Sequence, residues 1–161
     1  DGNLVTLNDV KILLSKVCDA HIAENSIVGP FAHIRDGVVI NQKVRVGNFV
    51  EVKKSEICQN TNVAHLSYIG DATLGEDVNV GAGTITANYN ALTKAKSKTI
   101  IEDGVKIGSN SVLVAPVTIG KCANIAAGSV ITKDIPENAL GITRSPLKIV
   151  ENWVKNKIGM K

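Results

Sequence analysis

The chain has 161 residues, of which 44% are hydrophobic but only 3% aromatic, so a core must consist of Val, Ile, Leu and Ala side chains. The formal net charge of +3 is mild, and no dense run of Lys and Arg predicts a nucleic-acid or membrane partner. Cys18, Cys58 and Cys122 are widely spaced without CxxC pairing, which predicts neither disulfides nor a cysteine zinc site but a reducing cytoplasm. Since no long apolar stretch or leader pattern occurs, we expect neither membrane insertion nor secretion.

Residues 1–27 are only loosely periodic, through Val17 and Ile22, and predict a poorly formed first coil. Beyond them an aliphatic residue recurs at nearly every sixth position, with one interruption. These anchors are Val28, Ile34, Ile40, Val46, Val52, Ile57, Val63, Ile69, Leu74, Val80, Ile101, Ile107, Leu113, Ile119, Ile125 and Ile131. Such hexads are typical of an all-β parallel β-helix, in which three short strands form each coil of roughly 18 residues. A β-sandwich, the alternative, does not keep a six-residue register over so many strands.

The interruption is the polar segment TANYNALTKAKSKT between Thr86 and Thr99, which predicts a projecting loop at 87–98. A loop that leaves a rigid solenoid is a common place for ligand contacts, although a tolerated insertion explains it equally well.

After the last hexads we place the end of the β-helix domain at residue 142 and treat 143–161 as a C-terminal tail. The apolar residues Leu147, Val150, Val154 and Ile158 share a helical face there, with Trp153 near its edge. This pattern predicts a short helix that caps the last coil, with ligand contact by Arg144 as the functional alternative.

The register of the hexads predicts which distant residues meet, because positions one coil apart lie above one another. Arg35 and Lys53 each follow an anchor of the same face, so two cations should stack about 5 Å apart. Glu51 and Tyr68 form a second column beside them. Stacked cations suit a phosphate group, although solvated surface charges would show the same pattern.

His65 belongs to a third column, with Asn48 one coil below it. If the loop replaces no coil, Ala82, Ser109 and Ala127 continue this column for roughly 14 Å. Small residues there would leave a groove for a long, thin ligand with its reactive end at His65. A lone histidine on a β-helix is more often solvated than catalytic, but the neighbouring tyrosine, carboxylate and cations favour a site.

Seven motifs are shared with a known family: VGPFAHIRDG, VGNFVEVKKS, AHLSYIGD, NVGAGTITANYN, VAPVTIGK, IAAGSVIT and ENALGITRSP. From about Val28 to Trp153, the chain resembles the acetyltransferase domain of bacterial bifunctional N-acetylglucosamine-1-phosphate uridyltransferase/glucosamine-1-phosphate acetyltransferase. The resemblance implies a left-handed parallel β-helix and a homotrimer with active sites between subunits. It also implies metal-independent acetyl transfer from acetyl-CoA to glucosamine 1-phosphate, for UDP-N-acetylglucosamine and cell-envelope synthesis. The family's uridyltransferase domain does not match this chain, so we do not expect it to make UDP-N-acetylglucosamine by itself.

The resemblance also assigns roles to individual residues. It places the catalytic base at His65, substrate contacts at Arg35, Lys53, Tyr68 and Asn79, and acetyl-CoA contacts at Ala82, Asn88, Tyr89, Ser109, Ala127 and Arg144. Glu51 is a further candidate, for positioning the substrate amine or His65. A substrate-binding loop lysine of the family corresponds to Lys96 or Lys94, because the loop is longer here. Asp36 stands where the family commonly has proline.

Two other functions compete with this interpretation. A zinc carbonic anhydrase on the same repeat needs three converging histidines, and His21, His33 and His65 lack the expected spacing. A non-catalytic solenoid that only trimerises or binds a sugar nucleotide would have no use for His65 together with Tyr68, Asn88 and Tyr89.

Overall fold

The computed structural model describes residues 4–158 and shows a parallel β-helix, so the predicted fold class is confirmed. Each coil contributes one strand to each of three sheets, which are named A, B and C here in the order in which the chain visits them. Neighbouring strands in all three sheets run parallel, consistent with the left-handed β-helix predicted.

Nearly all strands are two or three residues long, as the hexads require. Sheet A consists of Leu4–Thr6, Ala20–Ile22, Val38–Ile40, Glu56–Ile57, Ala72–Leu74, Thr99–Ile101 and Val117–Ile119. Sheet B consists of Lys11–Ile12, Ile27–Val28, Arg45–Asn48, Asn62–His65, Asn79–Val80, Lys106–Ile107, Asn124–Ile125 and Leu140–Gly141. Sheet C consists of Lys16–Val17, His33–Ile34, Glu51–Lys53, Tyr68–Gly70, Ile85–Ala87, Val112–Val114 and Val130–Ile131. The B–C corner is the edge formed by residues such as 48–50 and 65–67, and the C–A corner is formed by residues such as 35–37 and 53–55.

The aliphatic anchors form the core that the repeat predicts. Every anchor from Val28 to Ile131 is buried, with at most 4% of its surface exposed. Full burial of such a side chain contributes about 1.5–3 kcal/mol, so one anchor in each strand stabilises every coil. The side chains next to each anchor within a strand point outward, while small residues at the corners, such as Val44 and Val50, are buried with the anchors.

Small hydroxyl side chains tie the corners of successive coils together. Thr61 is fully buried, donates a hydrogen bond to the carbonyl of Gly75 at 2.7 Å and accepts one from the amide of Val78 at 3.0 Å. Ser26 does the same for Asn41 and Val44, at 2.8 and 3.1 Å. These bonds satisfy backbone groups that leave the sheet ladders at each turn.

The first coil is more regular than the sequence predicted. Its strands pair with the second coil in the register of the whole stack, with Ile12 beside Val28 and Val17 beside Ile34. Ile12 and Val17 also pack, partly buried, against the core. The expectation of a poorly formed coil was wrong because the exposed Leu13 and neighbouring apolar residues obscure the anchors in the sequence.

The loop predicted at 87–98 contains an antiparallel hairpin of Tyr89–Asn90 and Ala95–Lys96. It leaves from the end of sheet C, and the chain returns at Thr99–Ile101, which pairs directly with Ala72–Leu74 in sheet A. The insertion therefore replaces no coil, and the columns continue through it as the register requires.

The tail is less helical than predicted, because its one helix covers only Trp153–Ile158. Leu147 and Val150 lie outside that helix, so the predicted continuous helical face is wrong in its first half. Leu147, Val150, Val154 and Ile158 are all more than half exposed, and none of them covers the last coil within the described chain. The division at residue 142 stays a prediction. No helix within residues 4–158 is long and apolar enough to cross a membrane.

Candidate active site

Three cations meet at the C–A corner. The amide of Arg35 donates to the carbonyl of Val52 at 2.8 Å, which places Arg35 one coil below Lys53, as the register predicts. Lys96 approaches the same point from the hairpin. Its contact with Lys53 and its charge are the main reason that the pKa of Lys53 is lowered, and Arg35 adds to the effect. The structure thus favours Lys96 over Lys94 as the loop lysine of the site.

Glu51 pairs with one of these cations. Its carboxylate accepts a hydrogen bond from Nη1 of Arg35 at 2.9 Å, and this bond raises the pKa of Arg35. The structure shows Glu51 holding the guanidinium of Arg35, and its predicted role in positioning the substrate amine or His65 stays a prediction. Glu51 pairs with His33 in the coil below, and Arg35 lies two residues beyond His33 on the same face. Opposite charges on such diagonal neighbours attract each other.

The remaining positive charge lies on Lys53 and Lys96. Among residues 4–158, neither makes an ion pair within 4.0 Å, whereas the neighbouring Lys54 pairs with Asp36 at 3.9 Å. An open hollow of about 240 Å³ adjoins Lys96 and is lined by Lys54, Asp71, Lys96, Ser97 and Lys98. Two ammonium groups without an ion pair, one of which lines an open hollow, are suited to binding a phosphate.

Asn88 fixes the base of the hairpin. Asn88 is only 8% exposed. Its backbone carbonyl accepts a hydrogen bond from the amide of Ser97 at 2.9 Å, and its side-chain amide donates to the carboxylate of Asp71. The next residue, Tyr89, is 55% exposed. The sequence analysis missed Asp71, although Asp71 lies in the AHLSYIGD motif and one coil below Asn88.

The column of His65 runs along the B–C corner as predicted. His65 pairs with Asn48 at the end of its strand and is exposed. Above it, Asn110 donates its amide hydrogen to the carbonyl of Ala82 at 2.7 Å, and Gly128 donates to that of Ser109 at 2.8 Å. These bonds confirm that the loop does not break the column.

The coils approach each other closely along this column. A side chain at Gly108 would bring a Cβ to 2.7 Å from the Cα of Ala127, a distance at which the backbone itself would have to move. The glycines before Ala82 and Ser109 therefore allow the small residues to form a continuous shallow track.

An exposed apolar ridge borders His65, and the sequence analysis did not identify it. Phe31, Phe49 and Leu66 occupy successive coils at the B–C corner and are 54%, 59% and 64% exposed. The rings of Phe31 and Phe49 stack with centroids 5.7 Å apart. A hollow of about 440 Å³ leads from Phe49 and Leu66 to the face of sheet C that carries Glu51 and Tyr68.

The predicted residues do not all converge within one chain. His65, Ala82, Ser109 and Ala127 lie at the B–C corner, whereas Arg35, Lys53, Lys96, Asn88 and Tyr89 lie at the C–A corner. Sheet C separates the two corners, and a three-residue strand spans about 10 Å. Asn79 pairs with Asn62 on sheet B, and Arg144 is exposed beyond the last coil.

The three histidines occupy three different sheets: His21 is on sheet A, His33 on sheet C and His65 on sheet B. Residues 4–158 contain no group of three or more His, Cys, Asp or Glu side chains arranged to hold a metal ion.

Comparisons with known proteins agree with the repeat. A family model described as "Bacterial transferase hexapeptide (six repeats)" matches residues 19–54 and 98–133. The bifunctional protein GlmU of Synechococcus elongatus is 59% identical over 144 residues, which cover 89% of this chain and 31% of that protein. GlmU of Thermosipho africanus is 53% identical over 152 residues, covering 94% of this chain and 33% of that protein.

A solved structure shows the same fold at lower identity. The crystal structure of the BC4754 gene product of Bacillus cereus is similar with a TM-score of 0.55 and 22% identity, covering 99% of this chain and 84% of that one. This chain spans about a third of the length of the curated relatives that it matches. From the repeat, the fold and these matches, the chain is a hexapeptide-repeat β-helix that is similar to bacterial hexapeptide transferases and to about one third of the bifunctional GlmU proteins.

Proposed function

We propose that this domain transfers the acetyl group of acetyl-CoA to the 2-amino group of glucosamine 1-phosphate. The observation that carries the proposal is the cluster of Arg35, Lys53 and Lys96, in the positions where the resembled family binds a sugar phosphate. Identity of 53–59% to GlmU proteins over nearly the whole chain supports it.

The cations would bind the phosphate of the substrate. Lys53 and Lys96 repel each other in the free chain, so a doubly charged phosphate between them relieves that repulsion as it binds. Arg35, held by Glu51, would add a planar donor beside them. Tyr68, one column away, and Asn79 would contact the sugar hydroxyls.

His65 would act as the general base. The substrate amine must lose a proton to attack the thioester carbonyl, and an imidazole is the side chain that most often accepts such a proton. The amine nitrogen forms the new C–N bond, the C–S bond breaks, and the CoA thiolate leaves with the proton returned by His65. Direct attack between two bound substrates gains mainly from positioning, so neither an acetyl-enzyme nor a metal is needed.

Acetyl-CoA would lie along the track of Ala82, Ser109 and Ala127. Small residues and close coils leave room there for the extended pantetheine chain. Asn88 and Tyr89 would approach the acetyl group, and Arg144 would bind a phosphate of CoA through its guanidinium.

A homotrimer with sites between subunits would bring the two corners together. The ridge of Phe31, Phe49 and Leu66 is a contiguous exposed apolar surface beside His65, of the kind that a partner subunit covers. A second copy of the chain placed against this ridge would bring its own C–A corner, with the cations, towards His65.

The test mixes the purified chain with acetyl-CoA and glucosamine 1-phosphate and follows release of free thiol. We expect release that needs the sugar phosphate, and a rate about 10² to 10⁴ lower for His65→Ala with substrate binding kept. His21→Ala is the matched control, because His21 lies on another sheet. Full activity of His65→Ala would reject the assigned base, and a folded wild-type chain without thiol release would reject the reaction. Sedimentation of the same sample gives the number of subunits.

A further inference from the structure

The ring of Tyr68 lies over Gly70. The two residues are two positions apart in one strand of sheet C, so their side-chain positions share one face. A Cβ built on Gly70 would lie 2.6 Å from Cζ and 2.7 Å from Cε1 of Tyr68, with the hydroxyl oxygen closer still. The three atoms nearest to that Cβ all belong to the Tyr68 side chain. The ring therefore occupies the space in which any other residue at position 70 would place its side chain.

This direction takes the hydroxyl to the cation cluster. Gly70 pairs with Lys53 in the coil below, while Tyr68 pairs with Glu51. Side chains in strands usually stand roughly perpendicular to the sheet, which would leave the Tyr68 hydroxyl out in solvent above Glu51. Because the ring instead lies along the strand, its hydroxyl comes above the column of Arg35 and Lys53.

The backbone gives no other reason for a glycine at this position. Gly70 is not among the glycines with positive φ, so an alanine could adopt its conformation. Its amide donates a hydrogen bond to Oγ1 of Thr86 at 2.7 Å, and a side chain on Gly70 would leave that bond intact. The ring of Tyr68 is the one group among its nearest neighbours that a methyl group would displace.

We propose that Gly70 is a positioning residue that acts through Tyr68: the missing side chain lets the phenol lie along sheet C and present its hydroxyl to the anion bound by Lys53 and Lys96. The identity of that anion as glucosamine 1-phosphate rests on the proposed function. The placement of the ring by Gly70 does not.

The first test observes the ring without any enzyme assay. The chain contains two tyrosines, so 3-fluorotyrosine labelling gives two fluorine resonances, and Tyr89→Phe assigns them. We expect Gly70→Ala to shift the Tyr68 resonance and leave that of Tyr89 in place. An unchanged Tyr68 resonance in Gly70→Ala would overturn the proposal.

The second test measures the consequence for the substrate. A hydrogen bond from a hydroxyl to a charged phosphate contributes enough binding free energy to change the affinity about tenfold. We therefore expect Gly70→Ala to raise the KM for glucosamine 1-phosphate about tenfold and to leave the KM for acetyl-CoA unchanged. In a Tyr68→Ala background the same substitution should have no further effect, because the ring is already gone. Equal effects in both backgrounds, or a wild-type KM for Gly70→Ala, would contradict a role through Tyr68.

Folding is controlled within the same set. Alanine is no worse than glycine in a strand, so Gly70→Ala should keep the melting temperature of the wild type. If Gly70→Ala fails to fold and Tyr68→Ala restores folding, the conflict with the ring is shown directly. A failure that Tyr68→Ala does not restore would mean that the backbone requires the glycine, and the proposal would fall.

The outcomes also separate this proposal from the proposed function. If the wild type releases no thiol, titration of the fluorine-labelled chain with glucosamine 1-phosphate still reports binding at Tyr68. If the wild type has no transferase activity but the Tyr68 resonance shifts in Gly70→Ala, the proposed reaction is rejected and the positioning role of Gly70 is supported. An active wild type with a fully active Gly70→Ala variant rejects the positioning but supports the reaction.

Discussion

Replacement of Asp71 by alanine tests whether one carboxylate orients the side chain of Asn88, the proposed contact of the acetyl group. The bond from the Asn88 amide to Asp71 is a hydrogen bond to a charged group, and such bonds contribute about 1.5–3 kcal/mol. Asn88 is nearly buried, which would favour the upper end of that range. However, Asp71 borders the open hollow of about 240 Å³, so water can replace the lost carboxylate.

The lower end of the range therefore applies, at about 1.5–2 kcal/mol, which corresponds to about a twelve- to thirtyfold loss of the productive Asn88 orientation. We expect Asp71→Ala to raise the KM for acetyl-CoA by that factor. Because Asp71 also lines the hollow beside Lys96, loss of its negative charge should not raise the KM for the sugar phosphate. Hydrogen exchange at the amide of Ser97, which donates to the carbonyl of Asn88 at 2.9 Å, should become faster because the hairpin base is looser.

Asp103→Ala is the matched control for this experiment. Asp103 accepts a hydrogen bond from the amide of Glu76 at 3.0 Å and pairs with Lys121 at 3.6 Å, at the end of the strand Thr99–Ile101 that points away from the hairpin. Its removal should leave both KM values and the Ser97 exchange rate unchanged. An unchanged KM for acetyl-CoA together with unchanged Ser97 exchange in Asp71→Ala would refute the reasoning.

Two further predictions concern the cation cluster. Lys96→Ala should raise the KM for glucosamine 1-phosphate about tenfold, whereas Lys94→Ala, the matched lysine of the same loop, should not; the reverse order in steady-state kinetics would reassign the loop lysine. The pKa of Lys53 is lowered from 10.5 mainly by Lys96, and a bound phosphate raises it again. Phosphate binding therefore takes up a proton on Lys53. The affinity for phosphate should fall as the pH rises through the lowered pKa of the free chain. Calorimetry with N-acetylglucosamine 1-phosphate, which has no titrating amine, should show this decline starting at lower pH in the wild type than in Lys96→Ala.

The columns could be predicted from the sequence because a six-residue period fixes the vertical register. Once Ile34 and Val52 were recognised as anchors of one face, Arg35 had to lie beside Lys53, and the structure shows this. The same reasoning placed His65 above Asn48. It failed for the first coil, where Ile12 and Val17 are anchors but the apolar Leu13 beside them is exposed.

Contacts outside the period could not be predicted in this way. The bond between Arg35 and Glu51 joins neighbouring columns, and its formation depends on side-chain rotamers that the repeat does not determine. The hairpin lies outside the six-residue repeat, so the repeat does not determine where Lys96 lies. The approach of Lys96 to Lys53 depends on the conformation of the hairpin itself. The assignments of His65, Tyr68 and Asn79 to catalysis and substrate binding stay predictions.

The rigidity of the solenoid also constrains how the proposed reaction can occur. The amine and the phosphate of glucosamine 1-phosphate are attached to neighbouring carbons, so the base and the cations must approach each other closely. In one chain His65 lies at the B–C corner and Lys96 at the C–A corner, so the width of sheet C separates them. The close packing of the buried anchors keeps the coils from bending to bring the two corners together. In the proposed intersubunit site, one of the two groups would come from another copy of the chain. The exposed Phe49 and Leu66 beside His65 mark the edge at which that copy would dock, so the proposed reaction would depend on the proposed assembly.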